Sequence, residues 1–159
     1  MSKQRIVVGV DGSPESRDAL LWAAEQARAV GGSLRVVYAW SPPSVVALDL
    51  PPMIDWGPFR EQAKEFPGAF AREVLGDAPD IEVVPATVLG TAAQVLVDAS
   101  EKADLLVVGS RGLGGLKGML LGSVGHHCAA HARCPVVIVH RPTGPKRRPV
   151  RREALTARR

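Results

Sequence analysis

The sequence predicts an α/β protein: a three-layer α/β/α domain on a doubly wound, five-stranded parallel sheet. Three observations carry that reading. Five short runs are rich in Val, Ile and Leu and too continuously apolar to alternate, as strands covered on both faces must be. Segments with helical spacing separate these runs, so strands and helices take turns along the chain. Asp-Gly, Gly-Gly, Ser-Pro-Pro and a glycine-rich stretch mark the places where the period changes.

Arg5 to Val10 (RIVVGV) is the first run and ends in the turn pair Asp11-Gly12. A helix start follows at once. Ser13 can cap it, Pro14 suits its first position, and Glu15 and Asp18 complement the positive end of its dipole. Leu20, Ala23, Ala24, Ala27 and Val30 then recur at helical spacing until Gly31-Gly32. Leu34 to Trp40 is the second strand, stopped by Ser41-Pro42-Pro43, and a Pro-rich connection continues to residue 57. Phe59, Ala63, Phe66, Phe70 and Val74 mark one face of a second helix, which Pro67-Gly68 is expected to split into two pieces.

Ile81 to Val88 reads as the third strand. Thr91 and Gln94 have the spacing of a capping box, in which hydroxyl and amide side chains close the first turn reciprocally. Ala92, Val95, Leu96 and Ala99 are the buried face of that helix. Asp104 to Gly109 is the fourth strand, Ser123 to Arg133 the last helix, and Pro135 to His140 the fifth strand.

The charge is unevenly distributed. From Arg141 onward eight Lys or Arg face a single acid, Glu153, while the first 140 residues hold twelve bases against fifteen acids. The expected organisation is therefore a mildly acidic domain over residues 1–140 and a basic Pro/Arg-rich tail over 141–159, with nothing to bury and expected to be disordered. Contact with nucleic acid or an anionic surface is expected only weakly, through that tail. No apolar run reaches the eighteen or so residues of a membrane span, and residues 1–12 lack a secretory leader, so the expected location is cytoplasmic. Cys128 and Cys134 are expected as reduced thiols.

Residues 107–124 read VVGSRGLGGLKGMLLGSV, with six glycines between 109 and 122, after a strand and before a helix. Glycine lets backbone N–H groups approach an anion, and a helix start adds unpaired amides and positive potential. Ser123 offers a hydroxyl donor, and Arg111 or Lys117 a cation. Six glycines lose backbone entropy, and the sequence offers no packing return for them. Two familiar phosphate motifs fail: Lys117 is followed by Gly118-Met119 and not by Ser or Thr, and Gly114 is followed three places later by Lys117 and not by glycine. A third spacing holds, with Gly109, Gly112, then nine residues, then Gly122-Ser123.

That spacing resembles the universal stress protein family over residues 4–140. VVGVDGS at the first strand, VVYAW at the second, VVGSRGLGG, LLGSV and CPVVIV support it. The resemblance implies strand order 3-2-1-4-5, an ATP ligand with or without Mg2+, and a homodimer formed through the last strand, Pro135 to His140. It implies that Asp11, with the backbone of Gly9 and Val10, lies beside ribose and adenine, and that Ala39 meets adenine through its main chain. Gly109, Ser110 and Gly112, with Arg111 nearby, would cradle ribose and phosphate, and Gly122, Ser123 and Val124 would hold the phosphates. The implied function is a nucleotide-dependent regulator of stress or dormancy responses, acting on an unknown protein partner with little or no rapid turnover. A slow ATPase or phosphotransfer enzyme, and a dimeric scaffold with structural nucleotide, are the alternatives. Gly125-His126-His127-Cys128, Pro67-Gly68 and the basic tail depart from the family pattern without touching the loop spacing.

His126, His127, Cys128, His131, Cys134 and His140 invite comparison with metal sites, and His127 and His131 have ligand spacing on a helix. The glutamate of H-E-x-x-H is absent, and packing and solvation account for these residues, so no metal site is expected. Asp11 is the single acid in the candidate segments, and Ser123 has no recognisable base, so no catalytic residue is assigned.

Overall fold

The computed structural model describes residues 3–42, 55–114 and 120–141. In chain order the elements are β1 (Arg5–Gly9), α1 (Pro14–Val30), β2 (Ser33–Trp40), α2 (Gly57–Leu75), β3 (Glu82–Leu89), α3 (Ala92–Ser100), β4 (Leu105–Gly109), α4 (Ser123–His131) and β5 (Val136–Val139). The strands form one parallel sheet in the order β3-β2-β1-β4-β5. Ile6 on the central strand pairs with Leu34 on one side and Leu105 on the other. The fold class is the one the sequence predicts, the strand order is the one the family resemblance implies, and strand boundaries move by a single residue. The last helix stops at His131, two residues early, because Ala132 has extended backbone (ψ 151°).

Alternation along each strand divides the core into two layers. Ile6, Val8, Leu34, Val36 and Val107 turn toward α1 and α2, where Ala19, Leu20, Ala23, Ala27 and Phe70 meet them. Val7, Val37, Leu106 and Val108 turn the other way, onto Val95, Leu96 and Cys128 of α3 and α4. Each fully buried Val or Leu contributes about 1.5–3 kcal/mol, so both layers are needed to hold a sheet of this size.

The start of α1 forms as read. Ser13 Oγ accepts the Ser16 amide at 3.1 Å, Pro14 occupies the first turn, and Gly31 ends the helix in the left-handed region (φ 61°). Val30 lies outside the buried stripe and is exposed, as is Phe59 at the start of α2. Both share the apolar spacing of their helices in the sequence. Each sits at a helix end, beyond the reach of the sheet.

The expected split of α2 does not occur: one helix runs through Pro67. Proline lacks the N–H that would bond the Ala63 carbonyl one turn earlier. Thr87 Oγ1 on β3 donates to that carbonyl instead, at 2.7 Å, and the Pro67 ring is fully buried. The capping box at α3 forms by half. Thr91 Oγ1 accepts the Gln94 amide at 3.5 Å, but the Gln94 side chain turns along the helix and donates to Asp98 at 2.7 Å. Pro85 lies on β3, an edge strand, where a missing N–H leaves no gap between strands. Among the described residues no helix is long and apolar enough to cross a membrane. Most of the connection after Ser41, and the tail from Pro142, lie outside the described residues.

Candidate nucleotide site

In a parallel sheet the strand order reverses where crossovers change face, and the gap beyond the carboxyl ends there is the natural ligand site. Here the change falls between β1 and β4, because α1 and α2 cover one face and α3 and α4 the other. A cavity of about 380 Å³ opens at that point. It falls within the usual range for a small-molecule pocket. Its wall contains all eleven residues singled out from the sequence: Gly9, Val10, Asp11, Ala39, Gly109, Ser110, Arg111, Gly112, Gly122, Ser123 and Val124. Lys117 lies outside the described residues.

The floor is apolar, with Val37, Leu96 and Val108 beneath the opening, and suits a flat ring more than a charge. The far wall is the start of α4. The first backbone bond of that helix is His126 N–H to the Gly122 carbonyl, at 3.0 Å. The amides of Ser123, Val124 and Gly125 come before it, at the positive end of the helix. The neck of the glycine-rich loop is closed by Gly122 N–H donating to the Ser110 carbonyl at 2.7 Å, while Ser110 N–H donates to Val139 at 2.9 Å. Both limbs of the loop are thereby tied to the sheet.

Each carboxylate oxygen of Asp11 accepts one backbone amide. Its Oδ1 accepts the Ser13 amide at 2.9 Å and its Oδ2 the Leu113 amide at 2.8 Å. Two loop glycines are needed for close approach, which corrects the expectation that they bring no packing return. A Cβ at Gly109 would stand 2.8 Å from the backbone carbon of Glu15, and one at Gly112 would stand 2.5 Å from Asp11 Oδ2. Real Cβ atoms do not approach backbone or carboxylate that closely.

Sequence reading missed Glu15 and Ser16. Glu15 has more than its dipole role, because its Oε1 accepts from Arg111 Nη2 at 3.3 Å with only 14% of its side chain exposed. Arg111 is thus held against α1. Ser16 lines the cavity; its buried Oγ donates to the Ser13 carbonyl at 2.9 Å and receives the Asp11 amide at 3.4 Å. The signal was the Ser-Pro-Glu-Ser run after Asp11-Gly12, read only as a helix cap.

The thiols and imidazoles lie elsewhere. Burial in the α4 layer pushes the Cys128 thiol up to about 11, and burial also raises that of Cys134. Both cysteines are unpaired. The rings of His127 and His131 lie 4.5 Å apart on α4, and among the described residues no three His, Cys, Asp or Glu side chains are grouped to hold a metal.

A five-stranded parallel sheet in the order β3-β2-β1-β4-β5, with a cavity at its switch point, defines the class: a doubly wound α/β domain with a ligand-sized opening beyond its strand ends. Sequence comparison gives the family: the model of the Universal stress protein family matches residues 3–140, and the chain belongs to that family. It is 39% identical over 136 residues to Universal stress protein Rv2005c of Mycobacterium tuberculosis, covering 84% of this chain and 44% of the relative. A Mycolicibacterium smegmatis universal stress protein is 34% identical, over 87% of this chain and 46% of its own length. The chain thus spans less than half the length of these curated relatives. Among solved structures, a universal stress protein in complex with cAMP is 34% identical, with a TM-score of 0.56 over 88% of this chain and 98% of that one. The structure of hypothetical protein MJ0577 shares the fold at a TM-score of 0.69 and 19% identity, over 89% of this chain and 98% of that one.

Proposed function

We propose that this chain binds ATP in the cavity between β1 and β4 and acts as a nucleotide-dependent regulator. One observation carries the reading: an apolar floor and the amide-bearing start of α4 line a single cavity at the switch point. The floor suits adenine, and the helix start suits phosphate. The relative solved with cAMP, at 34% identity, supports an adenine nucleotide as the ligand class. Ala39 and Val10 would face the base, Gly109 to Gly112 the ribose, and Gly122, Ser123 and Val124 the phosphates. Calorimetric titration with ATP, AMP and cAMP, beside mass spectrometry of co-purifying nucleotide, tests this; absence of saturable binding by all three would overturn it.

The carboxylates argue for holding nucleotide and against consuming it. Phosphoryl transfer needs a positioned base and carboxylates for Mg2+. Asp11 already accepts two amides, and Glu15 is paired with Arg111. Turnover on the timescale of ordinary kinases, measured with ATP and Mg2+, would reverse this reading. A homodimer through the edge strand β5 and a cytoplasmic setting complete the proposal.

A further inference from the structure

We propose that His127 and His131 chelate a divalent transition-metal ion, of the class of Zn2+ or Ni2+, in a surface cleft between α3 and α4. The cleft holds about 540 Å³ and is lined by Gln94 and Val97 of α3 and by His127, His131 and Arg133. It shares no residue with the nucleotide cavity, so the site does not depend on nucleotide. Packing does not account for the two imidazoles: His131 is exposed, His127 is half-buried, and both line the cleft. The missing glutamate of H-E-x-x-H removes a hydrolytic base but takes nothing from a chelate, which needs only two imidazoles on one helix face.

The geometry is that of a chelate. Residues four apart share a helix face, and the two ring centres lie 4.5 Å apart. Imidazoles that share one ion through nitrogen, at about 2.0–2.1 Å, bring their ring centres to about 4.5–5 Å. The electrostatics favour a cation. α4 ends at His131, and the carbonyls of its last turn give this end negative potential. Asp98, bound to the Gln94 amide at 2.7 Å, adds negative charge beside the cleft. Arg133 is the opposing charge, but its side chain is exposed and only its backbone is tied down, its amide donating to Ser100 Oγ at 2.8 Å. Its guanidinium can turn to solvent as an ion enters. Imidazole suits Zn2+, Ni2+ and Cu2+, whereas Mg2+ and Ca2+ prefer oxygen, so the ligand type selects a transition ion. Two protein ligands leave coordination positions to water, which makes the site open and exchangeable, unlike a closed four-ligand zinc site.

Zn2+ and Ni2+ alone are the probes, added to the nucleotide-free full chain in a phosphine reductant that keeps both thiols reduced. Calorimetry is expected to find one saturable site. Loss of even an outer partner of a metal ligand costs roughly 10–100-fold in affinity, so His127→Gln and His131→Gln should each weaken binding at least about tenfold. His126→Gln, outside the cleft lining, and Cys134→Ser should each change it by less than about twofold. In NMR spectra of the parent protein, Ni2+ should broaden the imidazole signals of His127 and His131 before those of His126 and His140, a readout that stands even where a variant misfolds. Absence of saturable binding by the parent, or an equal loss in His126→Gln or Cys134→Ser, would overturn the site. So would imidazole shifts caused by inorganic phosphate without any Ni2+ broadening, which would mark the cleft as an anion site.

Discussion

Thr87 Oγ1 donates to the Ala63 carbonyl across 2.7 Å, and that bond is what allows a proline inside α2. The hydroxyl of one element replaces the N–H missing from another. Thr87→Val should leave the carbonyl unpaired beside the buried Pro67 ring and cost about 1–3 kcal/mol in denaturant unfolding. The cost should shrink in a Pro67→Ala background, where the backbone supplies its own donor. Equal costs in both backgrounds would show that the bond does not compensate for the proline.

Gly109 and Gly122 should separate stability from binding. In Gly109→Ala the new Cβ meets the Glu15 backbone at 2.8 Å, and backbone cannot swing aside, so stability should fall by about 1–3 kcal/mol. At Gly122 the nearest atom would lie at 3.5 Å and the residue already has extended backbone, so Gly122→Ala should fold normally. Its methyl group would stand at the cavity wall. ATP affinity should drop about tenfold with Tm almost unchanged, as calorimetry and thermal melting can determine.

The buried thiol predicts a pH dependence. Burial raises Cys128 from its usual 9.0 to about 11, so the folded protein holds that proton where the unfolded chain has released it. Stability is therefore full below pH 9 and declines as pH rises toward 11. Cys128→Ser should flatten that decline. In native protein at pH 8, a thiol reagent should modify Cys128 only as fast as the protein opens.

The edge of the sheet predicts the assembly. Val139 and Pro135 turn their carbonyls toward β4, so by alternation the N–H groups of Val136 and Ile138 point away from it. Ile138→Pro removes an outward donor and leaves the β4 ladder whole. If the proposed dimer pairs through β5, light scattering should find this variant monomeric at concentrations where the parent is dimeric.

Legibility in the sequence followed the range of the interactions concerned. Strands covered on both faces announce themselves as apolar runs, so Ile6 to Val8 and Leu106 to Val108 were plain. Ser13, Pro14 and Gly31 act within a turn or two and were legible for that reason. The loop glycines were legible as a spacing but not as packing, because the partners of Gly109 and Gly112 are Glu15 on α1 and Asp11 in the turn before it, across the fold. Glu15 was hidden in the same way, its partner Arg111 being distant in sequence. Pro67 misled because its compensation comes from Thr87 on another element. Gln94 had two partners within reach, the Thr91 N–H as a donor and the Asp98 carboxylate as an acceptor, and spacing alone could not choose between them.

The pairing of Ile6 with Leu105 brings together strands from opposite ends of the domain. A nascent chain holds β1, β2 and their helices long before β4 exists, so the centre of the sheet closes late, and the cavity closes with it. Unfolded and half-made chains have no site to offer. On the proposed function, nucleotide at a hundred times its Kd adds about 2.7 kcal/mol to the folded state alone. Nucleotide supply would then govern how many copies survive synthesis and turnover, before any copy meets a partner.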